Sequence, residues 1–105
     1  MLHGLEALSR RLVTEGRLAE AVEAAMVAVS VEPLRESAQR ALVLAHLAEG
    51  NRVEGRRCFD AYREVLRRDL GAEPAPELTA LIHPGVTGPR APEARRLRAA
   101  AVAAG

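Results

Sequence analysis

The chain has 105 residues, which makes one domain the default and limits the surface a core can bury. One Phe, one Tyr and no Trp leave a core of Leu, Val and Ala, and the scarcity of β-forming residues argues against an all-β fold. All 15 basic residues are arginine, and residues 1–82 carry 11 of them against 13 acidic residues, so the body lacks the basic footprint that phosphate-backbone binding needs.

Leu2, Leu5, Leu8 and Leu12 recur at helical spacing, with Glu6, Arg10 and Arg11 off the stripe, and predict a helix over about 2–15 stopped by Gly16. A second helix over 18–31 places Leu18, Ala21, Val22, Ala25, Ala28 and Val29 on its apolar face. Pro33 closes it, because the residue before a proline is pushed out of helical geometry. The small residues Ala21, Ala24, Ala25 and Ala28 leave one face open to close backbone approach. A third helix is expected over 34–49, with Leu34, Ala38, Ala41, Leu42 and Ala45 facing inward; Gly50 ends it and Asn51 caps the next.

The fourth helix, 51–70, carries Cys58, Phe59, Tyr62, Val65, Leu66 and Leu70 on one side. Its other side is a solvated mixture of charges, with pairs such as Arg56–Asp60 and Glu64–Arg68. Gly71 stops it. Residues 72–76 form a stiff connector into a short helix over 76–82, with Leu78, Leu81 and Ile82 on one side. Residues 83–105 read as a Pro/Gly linker and an Ala/Arg-rich tail, disordered or marginally helical.

Residues able to carry chemistry are sparse. Cys58 is the single cysteine, so no internal disulfide can form and a reducing compartment fits. Arg56 and Arg57 precede it and would lower its pKa, but its place beside the apolar face favours burial. His3, His46 and His83 show no metal-ligand spacing, and His46 is expected to pack within the helix hairpin. There is no lysine, hence no GxxxxGK loop, and no convincing acid–base pair of carboxylates. The reading is a protein with no catalytic residue, cofactor or metal site. No apolar run reaches the ~20 residues of a membrane span, and the N-terminus lacks a signal peptide's basic start and apolar centre, so a soluble cytoplasmic protein is expected.

Gly16 and Gly50 stand 34 residues apart, as do Leu8 and Leu42, and Ala25 and Phe59. That period is the tetratricopeptide signature of helix–turn–helix repeats. The first unit fits at Leu5, Leu8, Ser9, Gly16, Ala21, Ala25, Ala28 and Pro33. The second keeps Leu42, Gly50 and Phe59 but departs at Gln39, Val43, Gly55, Tyr62 and Arg67. The expected fold is all-α: two tetratricopeptide-like hairpins and a short C-terminal helix in a domain of residues 1–82, then a flexible tail over 83–105.

The segments Glu32-Pro33-Leu34-Arg35-Glu36 and Ala48-Glu49-Gly50-Asn51, Tyr62, and the Leu70-Gly71-x-x-Pro74-x-Pro76 ending occur in a distinctive order. With them, residues 2–82 closely resemble the bacterial transcriptional activator domain, the effector part of Streptomyces antibiotic regulatory protein type activators. The resemblance implies a role in transcription regulation, through protein binding or oligomerisation. The winged-helix DNA-binding domain of those regulators has no counterpart in this sequence, so the resemblance implies no DNA contact by this chain. An excised fragment and a stand-alone relative both remain open.

Repeats of this kind present a concave face from the first helix of each hairpin. Here it would use Leu5, Ser9, Gln39, Val43 and His46, edged by Arg35 and Arg40, as a groove for a partner's peptide or helix. The face of Leu2, Leu5, Leu8 and Leu12 meets upstream helices in the family. Leaving such leucines wet forfeits ~1.5–3 kcal/mol each, so a second copy, the 76–82 helix or the tail should cover them, and a homo-oligomer is the expectation adopted. The expected partners are this chain itself, the transcription machinery or another regulator, with no membrane and no specific nucleic acid. The alternative is a free-standing adaptor that uses the same groove on an unrelated protein.

Overall fold

The computed structural model describes residues 2–84, with side chains from residue 4, so the expectations for the tail and for the side chain of Leu2 lie outside the described residues. Within them the chain is all-helical, with five helices and no strand: α1 (Leu2–Thr14), α2 (Leu18–Val31), α3 (Glu36–Ala48), α4 (Arg52–Leu70) and α5 (Pro76–Ile82).

The two hairpin turns are built alike. Gly16 and Gly50 have φ of 77° and 78°, in the left-handed region where glycine meets no Cβ penalty. After each glycine the next amide reaches back to the carbonyl of the preceding helix's last turn: Arg17 to Leu12 at 2.8 Å, and Asn51 to His46 at 2.9 Å. This satisfies carbonyls that the helix end would leave unpaired. Asn51 then caps α4, its side-chain oxygen accepting from the Glu54 amide at 3.3 Å.

α1 packs on α2, α2 on α3 and α3 on α4, with α1 also reaching α3. These stacked hairpins fit a tetratricopeptide-like arrangement. The α2 stripe does what its small residues allow: Ala21, Ala25 and Ala28 are fully buried and Ala24 nearly so. Two apolar clusters follow. Leu12, Ala21, Ala24 and Ala45 join α1, α2 and α3, while Ala25, Ala41 and Leu42 join α2 to α3. α3 is the most enclosed helix, with seven buried residues among thirteen: Ala38, Gln39, Ala41, Leu42, Val43, Ala45 and His46.

Several expectations are corrected. α3 begins two residues late: Arg35 is extended, its amide donates to the Glu32 carbonyl at 3.1 Å, and Leu34 is left in the exposed turn. Leu70 is exposed rather than on the packed side of α4. Glu6, off the leucine stripe of α1, is nevertheless buried and paired with Arg35 at 2.6 Å. The core is not purely aliphatic, since Phe59 and Tyr62 are both buried, and Tyr62 donates its hydroxyl to Glu36 at 2.7 Å.

On α4 the Arg56–Asp60 pair forms at 3.8 Å, but Arg68 pairs with Asp69. Arg63 and Arg67 instead grip Glu73, at 3.0 and 3.3 Å, tying the connector back to the helix. The hydrogen bond from Arg63 holds the Glu73 carboxyl below the usual carboxylate range, helped by the charges of both arginines.

The chain forms two units, Met1–Pro74 and one beginning at Ala75. In the second, Pro76 opens α5, where its missing N–H is no loss, and Leu78 and Ile82 are buried. Among the described residues, no helix is long and apolar enough to cross a membrane.

Candidate functional site

A recess of about 480 Å³ runs between the second half of α1 and the second half of α3. Ser9, Arg10, Val13 and Thr14 form one wall, and Ala41, Leu44, Leu47 and Ala48 the other. Within each set most members have a neighbour three or four residues away, so each set lies on one side of its helix. Polar groups of the walls are turned inward to the backbone: the Ser9 hydroxyl donates to the Ala21 carbonyl at 2.9 Å, and Thr14 to the Arg10 carbonyl at 3.1 Å. What the groove offers a visitor is therefore mostly apolar, from half-buried Val13, Leu44 and Leu47.

A smaller recess of about 130 Å³ is lined by Arg10, Ser37, Arg40, Ala41 and Leu44, sharing three of these residues with the groove. Arg10 and Arg40 are exposed there and have no acidic partner among the described residues. Arg17, Arg35, Arg56, Arg57, Arg63, Arg67 and Arg68 are ion-paired, so Arg10 and Arg40, like Arg11 next to Arg10 in sequence, carry unmatched positive charge.

Of the residues expected to line a concave face, Ser9 borders the groove and Arg40 its charged edge, while the others lie elsewhere. Ser9, Gln39, Val43 and His46 are buried, and Gln39 donates to the Pro33 carbonyl at 2.7 Å. Arg35 is occupied by Glu6. Leu5 is half-buried and Arg40 exposed. The open side of α3 thus runs through Ser37, Arg40, Ala41, Leu44 and Leu47 rather than Gln39, Val43 and His46. Leu44 and Leu47 were a usable signal, being large apolar residues off the expected inner stripe.

Of the leucines expected to drive self-association, Leu12 is buried and Leu8 is 41% exposed. A third recess, about 270 Å³, lies between α1 and α2 and is lined by Leu5, Leu8, Leu12, Ala24 and Val27, with Glu20 and Glu23 beside them.

Cys58 is half-buried. Burial and then the Glu54 charge push its thiol above the usual value, against the opposing charge of Arg57. The expected influence of the arginine pair is thereby outweighed. His46 meets Glu54 and Cys58 across the α3–α4 turn, a convergence its sequence spacing does not reveal.

Comparison with known proteins places this architecture. No curated protein and no solved structure matches the chain significantly. The bacterial transcriptional activator domain family matches over residues 1–84, a span that takes in both hairpins, the groove between α1 and α3, the Arg63–Arg67–Glu73 clamp and α5. With four-fifths of its length so matched, the chain belongs to the bacterial transcriptional activator domain family.

Proposed function

We propose that this domain serves transcription regulation as a protein-interaction module, its α1–α3 groove receiving an amphipathic helix from a partner protein. Membership of a regulatory rather than an enzyme family supports the regulatory half of this reading. The observation that carries the binding half is the groove itself: an apolar channel of about 480 Å³ continuous with an edge where Arg10 and Arg40 lack counter-charges. A helix would seat leucine-sized side chains against Val13, Leu44 and Leu47 and set acidic residues beside the two arginines. Apolar contact would supply affinity, and the charged end would fix the direction of the bound helix. The module would act by binding alone, without contacting DNA.

The test uses a synthetic helix with leucines at i, i+3, i+4 and i+7 and glutamates at one end, titrated against isotope-labelled domain. Amide shifts should concentrate on 9–14 and 40–48. Leu44→Asp should abolish binding, and Arg40→Glu should weaken it at least fivefold. Shifts confined to other surfaces, or binding indifferent to both variants, would reject the groove.

A second reading, self-association, is favoured by one separate observation. Leu8 and Val27 remain 41% and 49% exposed, and both line the recess between α1 and α2. Covering them with a second copy would remove that apolar surface from water.

A further inference from the structure

At the α3–α4 turn, away from the groove, two helices bring three different donor types to one point. A ring nitrogen of His46, a carboxylate oxygen of Glu54 and the Sγ of Cys58 all lie within 4.8 Å of one another. We propose that these three side chains form a binding site for a zinc-class divalent transition metal that pins α3 to α4.

The backbone is shaped for this meeting. Glu54 and Cys58 stand four residues apart, one turn above the other on α4. His46 comes from the last turns of α3, whose carbonyl is held by the Asn51 amide at 2.9 Å. Gly55 lies between them in sequence, and a Cβ there would stand 3.2 Å from Leu47 Cδ2 and 3.7 Å from His46 Cβ. The missing side chain lets α4 come up against the end of α3.

A second, independent observation concerns the imidazole. His46 is only 8% exposed, and its Nδ1 is buried with no hydrogen-bond partner. Glu49 Oε1 stands 3.9 Å from Nδ1, beyond hydrogen-bond reach. A buried ring nitrogen without a partner is destabilising. A metal ion among His46, Glu54 and Cys58 would take up a ring nitrogen of this unsatisfied imidazole and fix its orientation.

The donor set selects the ion. Imidazole, carboxylate and thiolate together suit zinc, whereas calcium and magnesium take oxygen ligands. On binding, the Cys58 thiol releases its proton to solvent and the sulfur donates to the metal. Thiolate and carboxylate then balance the two positive charges. Tetrahedral zinc holds its donor atoms roughly 3.5 Å apart, so the side chains must close by about 1 Å. Half-buried Glu54 and Cys58 have that freedom; Glu54 exchanges its contact with exposed Arg57, now at 3.4 Å, for the ion. Water takes the fourth position. The site would brace the second hairpin, which lacks the proline that closes the first.

The experiment titrates the full chain, free of any histidine tag and under reducing conditions, with Co²⁺ as the spectroscopic probe and Zn²⁺ as competitor. Expected is one saturable equivalent with a thiolate-to-cobalt charge-transfer band, displaced by Zn²⁺, and a melting temperature raised by roughly 10 °C at saturating Zn²⁺. Cys58→Ser should lose the band, Glu54→Gln should weaken binding at least tenfold, and His83→Ala should leave it unchanged. The partly exposed Cys58 and Glu54 are chosen over buried His46 so that the variants keep the fold, checked by circular dichroism. Absence of a saturable band in the parent chain, or a band that survives Cys58→Ser, overturns the proposal.

Discussion

One ion pair joins α1 to the segment that leads into α3. Glu6 is 3% exposed and meets Arg35 at 2.6 Å across 29 residues of sequence. Removing one member of a buried pair leaves a charge without its main compensation. Arg35→Ala should therefore lower stability by about 2–4 kcal/mol in urea unfolding, less than for a fully enclosed pair because the Arg35 side chain is partly exposed. A loss below about 0.5 kcal/mol would mean the pair is a surface contact in effect. Glu6 looks solvent-facing in the sequence because it stands one residue off the leucine stripe and its partner is far along the chain. Tyr62 offers a second residue-level check. Burial, and then the hydrogen bond it donates to Glu36, push its phenol well above the usual value. With the folded pKa above the unfolded value of about 10, its contribution to stability is fully present below pH ~10 and is lost as pH rises further. This is the sole tyrosine and there is no lysine, so tyrosinate absorbance reads one group. Ionisation should coincide with alkaline unfolding; a native-state midpoint near pH 10 would contradict the buried bond.

Among the elements, α2 was legible to the residue, because its alanine stripe is bracketed by a left-handed glycine and a proline. Both hairpin turns were equally plain, since Gly16 and Gly50 repeat one local geometry and local geometry is written in adjacent residues. α3 was harder. Its start was missed because Leu34 continues the apolar pattern while Pro33 and extended Arg35 hold the chain in a turn. Its open face was misassigned because apolar residues nearly encircle it. Ala38, Leu42 and Ala45 suggest one inward stripe, yet Gln39, Val43 and His46 are buried as well, and only the docking of α2 and α4 decides which side remains free. The tightness of α2 against α3 predicts an asymmetry. Ala25→Leu should destabilise by about 1–3 kcal/mol through overpacking, although it adds hydrophobic surface and keeps helix propensity. Thermal unfolding checks it, and an unchanged or raised melting temperature would show that the helices can part without penalty.

For the whole molecule, the open question is what meets the surfaces α1 helps to form, since one borders the groove with α3 and another the recess with α2. The self-association reading predicts a dimer at tens of micromolar by light scattering, converted to monomer by Leu8→Glu. A wild-type monomer at all concentrations would reject it and leave the groove reading standing. The family and the helical architecture could be read from ordered motifs and spacing, whereas the open side of α3 could not, because accessibility is a property of assembled helices. The alanine core has a further consequence. Ala21, Ala24, Ala25, Ala28, Ala38, Ala41 and Ala45 are all buried, and alanine has no rotamers to lose on folding. These helices therefore dock with little side-chain entropy to surrender and little bulk to interlock. Their mutual recognition is by exclusion: a register slid by one step would thrust a valine, leucine or methionine into a space sized for a methyl group.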